Sequence, residues 1–180
     1  MKSSLFINME KGLIHIYTGG GKGKTTAAVG LSLRCCRRGY KVGFTSFLKD
    51  FESGELLGDC PFTVLRQPPF KGFWKDLTKQ EKDDTRKRYN EFLLEIFCIA
   101  EKENYDLIVL DEVLVATSLG AVDTAFLIEM LKNKPRSLEV VMTGANCPEE
   151  LFPLADYISE IKCIKHPYNK GVGARDGIEK

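Results

Sequence analysis

Residues 17–26 read "YTGGGKGKTT". The apolar run "GLIHI" leads into this stretch and the helix-forming run "KTTAAVGLSLRCCRR" leaves it. Consecutive glycines let a backbone take positive φ and turn several N–H groups toward one point. A strand that passes through such a loop into a helix makes a nest of N–H groups at a helix N-terminus, where phosphate binds. Lys24 adds a mobile positive charge, and Thr25 a hydroxyl suited to Mg²⁺. Gly23, Lys24 and Thr25 fit the end of the phosphate-loop pattern G-x-x-x-x-G-K-S/T. Its first position is Thr18, and Gly19 comes one residue late. The loop is a variant with an extra lysine, Lys22, inside it. Gly19, Gly20, Gly21, Lys22, Gly23, Lys24, Thr25 and Thr26 are the expected phosphate-binding residues.

The rest of the chain supplies a frame for such a loop. "GLIHIYTG", "YKVGFTSFL", "FTVLRQ" at 62–67, "YDLIVLDE", "LEVVMTG" and "YISEIKCI" read as short apolar strands. Helices alternate with them. One spans 24–38 and is stopped by Gly39. A second carries Tyr89, Phe92, Leu93, Ile96, Phe97 and Ala100 on a single face. A third, "VDTAFLIEMLKNKP", closes at Pro135. A short fourth, "NCPEELFPLAD", has Asn146 or Cys147 as its cap and Pro148 near its start. Continuous apolar strands alternating with helices predict a parallel sheet covered on both faces, in one domain over residues 1–180. In such a sheet, ligands bind outside the carboxyl ends of the strands. The glycine loop, Asp111-Glu112, Thr143-Gly144 and Lys165-His166 all fall there and are expected to converge. Asp111 and Glu112, with Thr25, are the candidate Mg²⁺ ligands, directly or through water.

Composition removes several classes. The net charge is +1 with neutral histidines, so no broad basic field points to nucleic acid. No apolar run reaches the length of a membrane span, and the first eleven residues have too short an apolar core for a secretion signal, so the expected location is the cytoplasm. None of the six cysteines forms a C-x-x-C pair, and they read as reduced, core-filling thiols rather than a zinc site. His15, mid-strand, reads as a satisfied core or interface histidine. The run "KQEKDDTRKRYNE" reads as a solvated helix face. These residues reach a magnesium–nucleoside triphosphate site on an α/β sheet. They leave open which bond breaks.

The motifs resemble one family. "YTGGGKGKTTAA" is similar to the loop of the ATP:corrinoid adenosyltransferases of the cob(I)yrinic acid a,c-diamide type. The similarity continues through "VGFTSFLKD", "SGE", "LIVLDEV", "VMTG", "PEEL", "LADYISEI", "KHP" and "GARDGIE", over about residues 12–179. The resemblance implies a P-loop (RecA-like) parallel β-sheet, with an N-terminal extension at 1–11 and a C-terminal tail, 165–180, over the site. It implies transfer of the 5′-deoxyadenosyl group of ATP to Co(I) of a corrinoid, with release of triphosphate and a loop that holds the triphosphate in reversed direction. Lys24, Thr25 and Glu112 are then the catalytic candidates, with Mg²⁺ (or Mn²⁺) on Thr25, Asp111 and Glu112. Lys165, Lys170 and Arg175 of the tail would add charge at the phosphates. A reductant such as a flavoprotein would supply Co(I), and a homodimer is the implied assembly. The apolar Leu5, Phe6 and Ile7 near the N-terminus agree with the homodimer.

The family walls the lower face of the corrinoid with a Phe-x-Trp segment. Here the region is "PPFKGFW", so Phe70, Phe73 and Trp74 are the candidates. Neither phenylalanine has the family spacing from Trp74. After "VMTG" the family commonly has Arg where this chain has Ala145, and Gly173 stands in the tail where it often has Lys. Both changes remove expected nucleotide contacts, which leaves a weaker enzyme, or a paralogue with another corrinoid preference, open.

Overall fold

The computed structural model of the chain describes residues 10–49, 54–56, 58–70 and 72–178. Leu5, Phe6 and Ile7 lie outside these residues. Six strands appear among those described: β1 (Ile14–Thr18), β2 (Val42–Ser46), β3 (Thr63–Val64), β4 (Leu107–Asp111), β5 (Glu139–Thr143) and β6 (Tyr157–Glu160). All pair in parallel, in the order β3-β2-β4-β5-β1-β6. The helices are α1 (Lys24–Arg37), α2 (Lys79–Lys102), α3 (Val113–Ser118) and α4 (Thr124–Lys132).

Strand alternation divides the core in two. Ile14 and Ile16 of β1, Ile108 and Leu110 of β4, and Val140 and Met142 of β5 point to one face, where they pack with α2, α3 and α4. Leu107 and Val109 of β4, Val141 of β5, and Val42 and Phe44 of β2 point to the other, against Ala28 and Val29 of α1. The sheet is therefore covered on both faces, as continuous apolar strands require. Tyr89, Phe92, Leu93, Ile96, Phe97 and Ala100 of α2 are all buried, as their spacing predicts. The same helix starts with a capping box, in which the Thr78 side chain accepts from Glu81 N–H and the Glu81 carboxylate accepts from Thr78 N–H.

Four local expectations change. The strand expected over 62–67 pairs only at Thr63–Val64, and the last strand stops at Glu160. The helix expected over 146–156 is a 3-10 segment, Glu149–Leu154, with Pro148 in the cap position and no side-chain cap. Pro153 lies inside it and lacks the N–H an α-helix needs. Helix α3 is an addition; Val113, Leu114, Ala116 and Thr117 are buried, so it shows no amphipathic period. The cysteines sit at the core margin: Cys35, Cys36, Cys60 and Cys147 are half-buried, while Cys98 and Cys163 are exposed. His15 pairs with Glu139 at 2.5 Å and lies 4.6 Å, ring to ring, from Tyr157 of the neighbouring strand.

Candidate active site at the carboxyl ends of the strands

The glycine loop leaves β1 between two neighbours and is stitched to both. On one side, the Thr18 hydroxyl and Gly19 N–H both donate to the Ala145 carbonyl at 3.3 Å, just beyond β5. Thr18, the misfit in the loop pattern, thus ties two strand ends together. On the other side, Ile161 N–H donates to Thr18 C=O at 2.8 Å, and Gly21 N–H donates to Ile161 C=O at 2.7 Å. A Cβ on Gly21 would lie 2.7 Å from that carbonyl, so only glycine fits there. Gly23, at φ 119°, turns the chain into α1 and leaves its first turn without a side-chain cap or an acidic residue. The N–H groups of that turn remain for a ligand.

Lys24 folds back over the loop. Its Nζ donates to Gly19 C=O at 2.7 Å and Gly21 C=O at 2.8 Å. Lys22 reaches the tail and donates to Ile178 C=O at 2.8 Å. Gly20 and Thr26 are exposed.

Asp111, at the end of β4, is the electrostatic centre. It is fully buried. Its Oδ1 accepts from the Thr25 hydroxyl at 2.9 Å and from the Thr143 hydroxyl at 2.6 Å. Its Oδ2 accepts from Lys49 Nζ at 2.6 Å and, at 3.4 Å, from the Ser46 hydroxyl. A carboxylate offers about four lone-pair sites, and these four donors use them. Glu112 follows in left-handed conformation, φ 59°, and its N–H donates to Thr143 Oγ1 at 2.9 Å. The Glu112 side chain is half-buried and has no hydrogen bond or ion pair among the described residues. Burial pushes its carboxyl above the usual range, Asp111 pushes it further, and Lys49 and Lys24 pull it back. The loop, Thr25, Asp111 and Thr143 therefore meet, as the strand ends predict. Lys49 and Ser46 were given no role in the sequence reading; Ser46 ends β2 and Lys49 lies just past it, both within the "VGFTSFLKD" stretch.

The tail and the aromatic segment are placed less tightly. Lys165, Lys170, Gly173 and Arg175 are exposed. Lys165 and Lys170 make no hydrogen bond or ion pair among the described residues, and His166 caps the 3-10 segment Pro167–Lys170. Phe70 is buried, 6.4 Å ring to ring from Tyr89 of α2, and Phe73 is 71% exposed. Trp74 lies half-buried against the core on the α2 face, with Lys82 Nζ 6.0 Å from its ring centroid. The segment is pinned to the strand ends. Tyr89 accepts from Leu48 N–H at 3.1 Å and donates to Gln67 Oε1 at 3.1 Å, and Gln67 Nε2 donates to Lys49 C=O.

The sequence profile described as ATP:corrinoid adenosyltransferase BtuR/CobO/CobP matches residues 10–179. The corrinoid adenosyltransferase of Escherichia coli strain K12 is 32% identical over 175 residues, which span 94% of this chain and 86% of that protein. A corrinoid adenosyltransferase of Sinorhizobium sp is 33% identical over 180 residues, 94% of this chain and 81% of its own length. The protein named corrinoid adenosyltransferase CobA in Salmonella typhimurium is 31% identical, with 94% and 86% covered. A phosphate loop closed onto a buried aspartate, continued by a matching profile over nearly every described residue, places the chain: it belongs to the ATP:corrinoid adenosyltransferase family.

Proposed function

We infer that the chain transfers the 5′-deoxyadenosyl group of ATP to Co(I) of a corrinoid substrate. The cobalt attacks C5′, the C5′–O bond breaks with its electron pair, and triphosphate leaves. Co(I) is itself the nucleophile and has no proton to lose, so no general base is required. What remains for the protein is alignment and stabilisation of a highly charged leaving group. The observation that carries this reading is the meeting of the glycine loop, Thr25 and buried Asp111 in a chain of this family. Lys24, Lys22 and the loop N–H groups would hold triphosphate, and Lys165, Lys170 and Arg175 belong to a tail whose Ile178 carbonyl meets Lys22.

The oxygen donors suit a hard cation. No cluster of three His, Cys, Asp or Glu able to hold a metal exists among the described residues. Mg²⁺ takes one or two carboxylates and completes its shell with phosphates and water. Thr25 Oγ1 and the unpaired Glu112 carboxylate are the groups that would hold it. Asp111 orients Thr25 by accepting its proton-bearing side. Bound there, Mg²⁺ would neutralise charge on the departing triphosphate.

A homodimer would cover the exposed Tyr157 and Ile158 of the edge strand β6. Supply of Co(I) falls to a separate one-electron reductant such as a flavoprotein. No helix among the described residues is long and apolar enough to cross a membrane.

Product analysis under a reductant strong enough to make Co(I) is the test. An adenosyl–cobalt product with triphosphate is expected. Orthophosphate or ADP without an adenosyl–cobalt product would identify an ordinary phosphate-loop ATPase or kinase instead. Binding of both substrates without turnover would identify a carrier, in line with Ala145 and Gly173.

A further inference from the structure

Lys49 sits in the "VGFTSFLKD" stretch with no role assigned to it there, and among the described residues its ammonium is the one positive group in contact with the buried Asp111 carboxylate, 2.6 Å away. Its side chain is 21% exposed and that of Asp111 is 0% exposed. The other three donors to Asp111, Thr25, Thr143 and Ser46, are neutral hydroxyls. A buried carboxylate without a counter-charge is strongly penalised. A second carboxylate, Glu112, follows directly, and Lys49 is the leading positive influence on it too.

The backbone that presents Lys49 is built for the purpose. Leu48 stands at φ 57°, an unfavourable region for leucine, and turns the chain sharply after β2. Two contacts hold that turn. Leu48 N–H donates to the Tyr89 hydroxyl, and the Lys49 carbonyl accepts from Gln67, which in turn accepts from Tyr89. Tyr89 is buried in α2, and desolvation pushes its phenol up to about 12, so it remains a donor. Helix α2 and the segment after β3 therefore clamp the turn from which Lys49 reaches Asp111.

We propose that Lys49 is a positioning residue: it compensates Asp111 so that this carboxylate stays fixed under the Thr25 hydroxyl and leaves the Thr25 lone pairs facing the metal–triphosphate. The proposal rests on the metal reading given above. It makes Lys49 act through Asp111 and not through direct contact with phosphate, and this separates its consequences.

The test is equilibrium binding of ATP to the full chain by calorimetry, with and without Mg²⁺. Wild type gains affinity from Mg²⁺. Lys49→Arg keeps that gain. Lys49→Met loses roughly tenfold or more of it, the size of a charge-assisted contact. The double variant Lys49→Met with Asp111→Asn recovers most of the gain. The amide oxygen still accepts from Thr25 and Thr143, and no buried charge is left to compensate. The double variant also decides the matter if Lys49→Met alone fails to fold. A full gain in Lys49→Met would overturn the inference. So would an equal loss of affinity with and without Mg²⁺ that the double variant does not recover, which would make Lys49 a direct phosphate ligand. A wild type indifferent to Mg²⁺ would remove the metal reading and this inference together, whereas a normal gain without adenosylation would remove only the reaction.

Discussion

Glu112 stands at φ 59°, with its carboxyl held above the ordinary range by burial first and by Asp111 second. The native state therefore binds this proton more tightly than the unfolded chain does. The sign follows from linkage: the contribution is fully present below the unfolded value of about 4.3, and is lost as pH rises through the higher folded value. Glu112→Gln should therefore melt above wild type at neutral pH, with the gap closing as pH falls toward 4, while its Mg²⁺-dependent ATP affinity drops. Melting curves at the two pH values check this, and an unchanged melting temperature at neutral pH would refute it. Lys24→Ala should weaken ATP binding by about 1.5–3 kcal/mol, the loss of a charge-assisted contact. Unchanged affinity would mean that this loop is not the phosphate site. Lys24, Thr25 and Asp111 were legible because a motif fixes their spacing and a strand fixes their position. Lys49 was not, since only the folded turn at Leu48 brings it to Asp111.

Between β3 and α2, the segment carrying Phe70, Phe73 and Trp74 divides into a packed part and an open part. Phe70 is 7% exposed and lies on Tyr89, so Phe70→Ala should cost about 3–5 kcal/mol of stability. Phe73, on the surface, should cost under about 0.5 kcal/mol. Trp74, half-buried against the same core, should fall between them. If Phe73 and Trp74 wall the corrinoid, their alanine variants should lose more adenosylation when the assay starts from Co(II) than from prepared Co(I). Denaturant melts and paired assays measure both, and equal losses from the two cobalt states would return these rings to a structural role. Helix α2 was readable because a long helix with one buried face writes its period into the sequence. Helix α3 has six residues and lies largely in the core, so it writes none. The 3-10 segment Glu149–Leu154 resembles a helix in composition, but Pro153 forbids the α form.

For the molecule as a whole, alternation of strands and helices was enough to predict a parallel sheet with both faces covered. It did not give the strand order. Placing β5 between β1 and β4 depends on where each crossover lands, and apolar runs such as "LIVLD" and "EVVMT" would pair equally well either way. Among the described residues, that order leaves β1 one position in from an edge, with β6 as its outer neighbour. All four residues of β6 are exposed, yet the chain just past it supplies the carbonyl that holds Gly21. Edge strands open at lower free energy than central ones. The phosphate loop is thus hinged on an edge strand of the described sheet, and each brief opening of β6 releases one wall of the loop. In amide hydrogen exchange, Gly21 and Ile161 should exchange together and faster than Ile108 to Leu110 of β4. Saturating ATP should slow both, while Gly21 protection equal to that of β4 without ligand would show a loop whose hold does not depend on the edge.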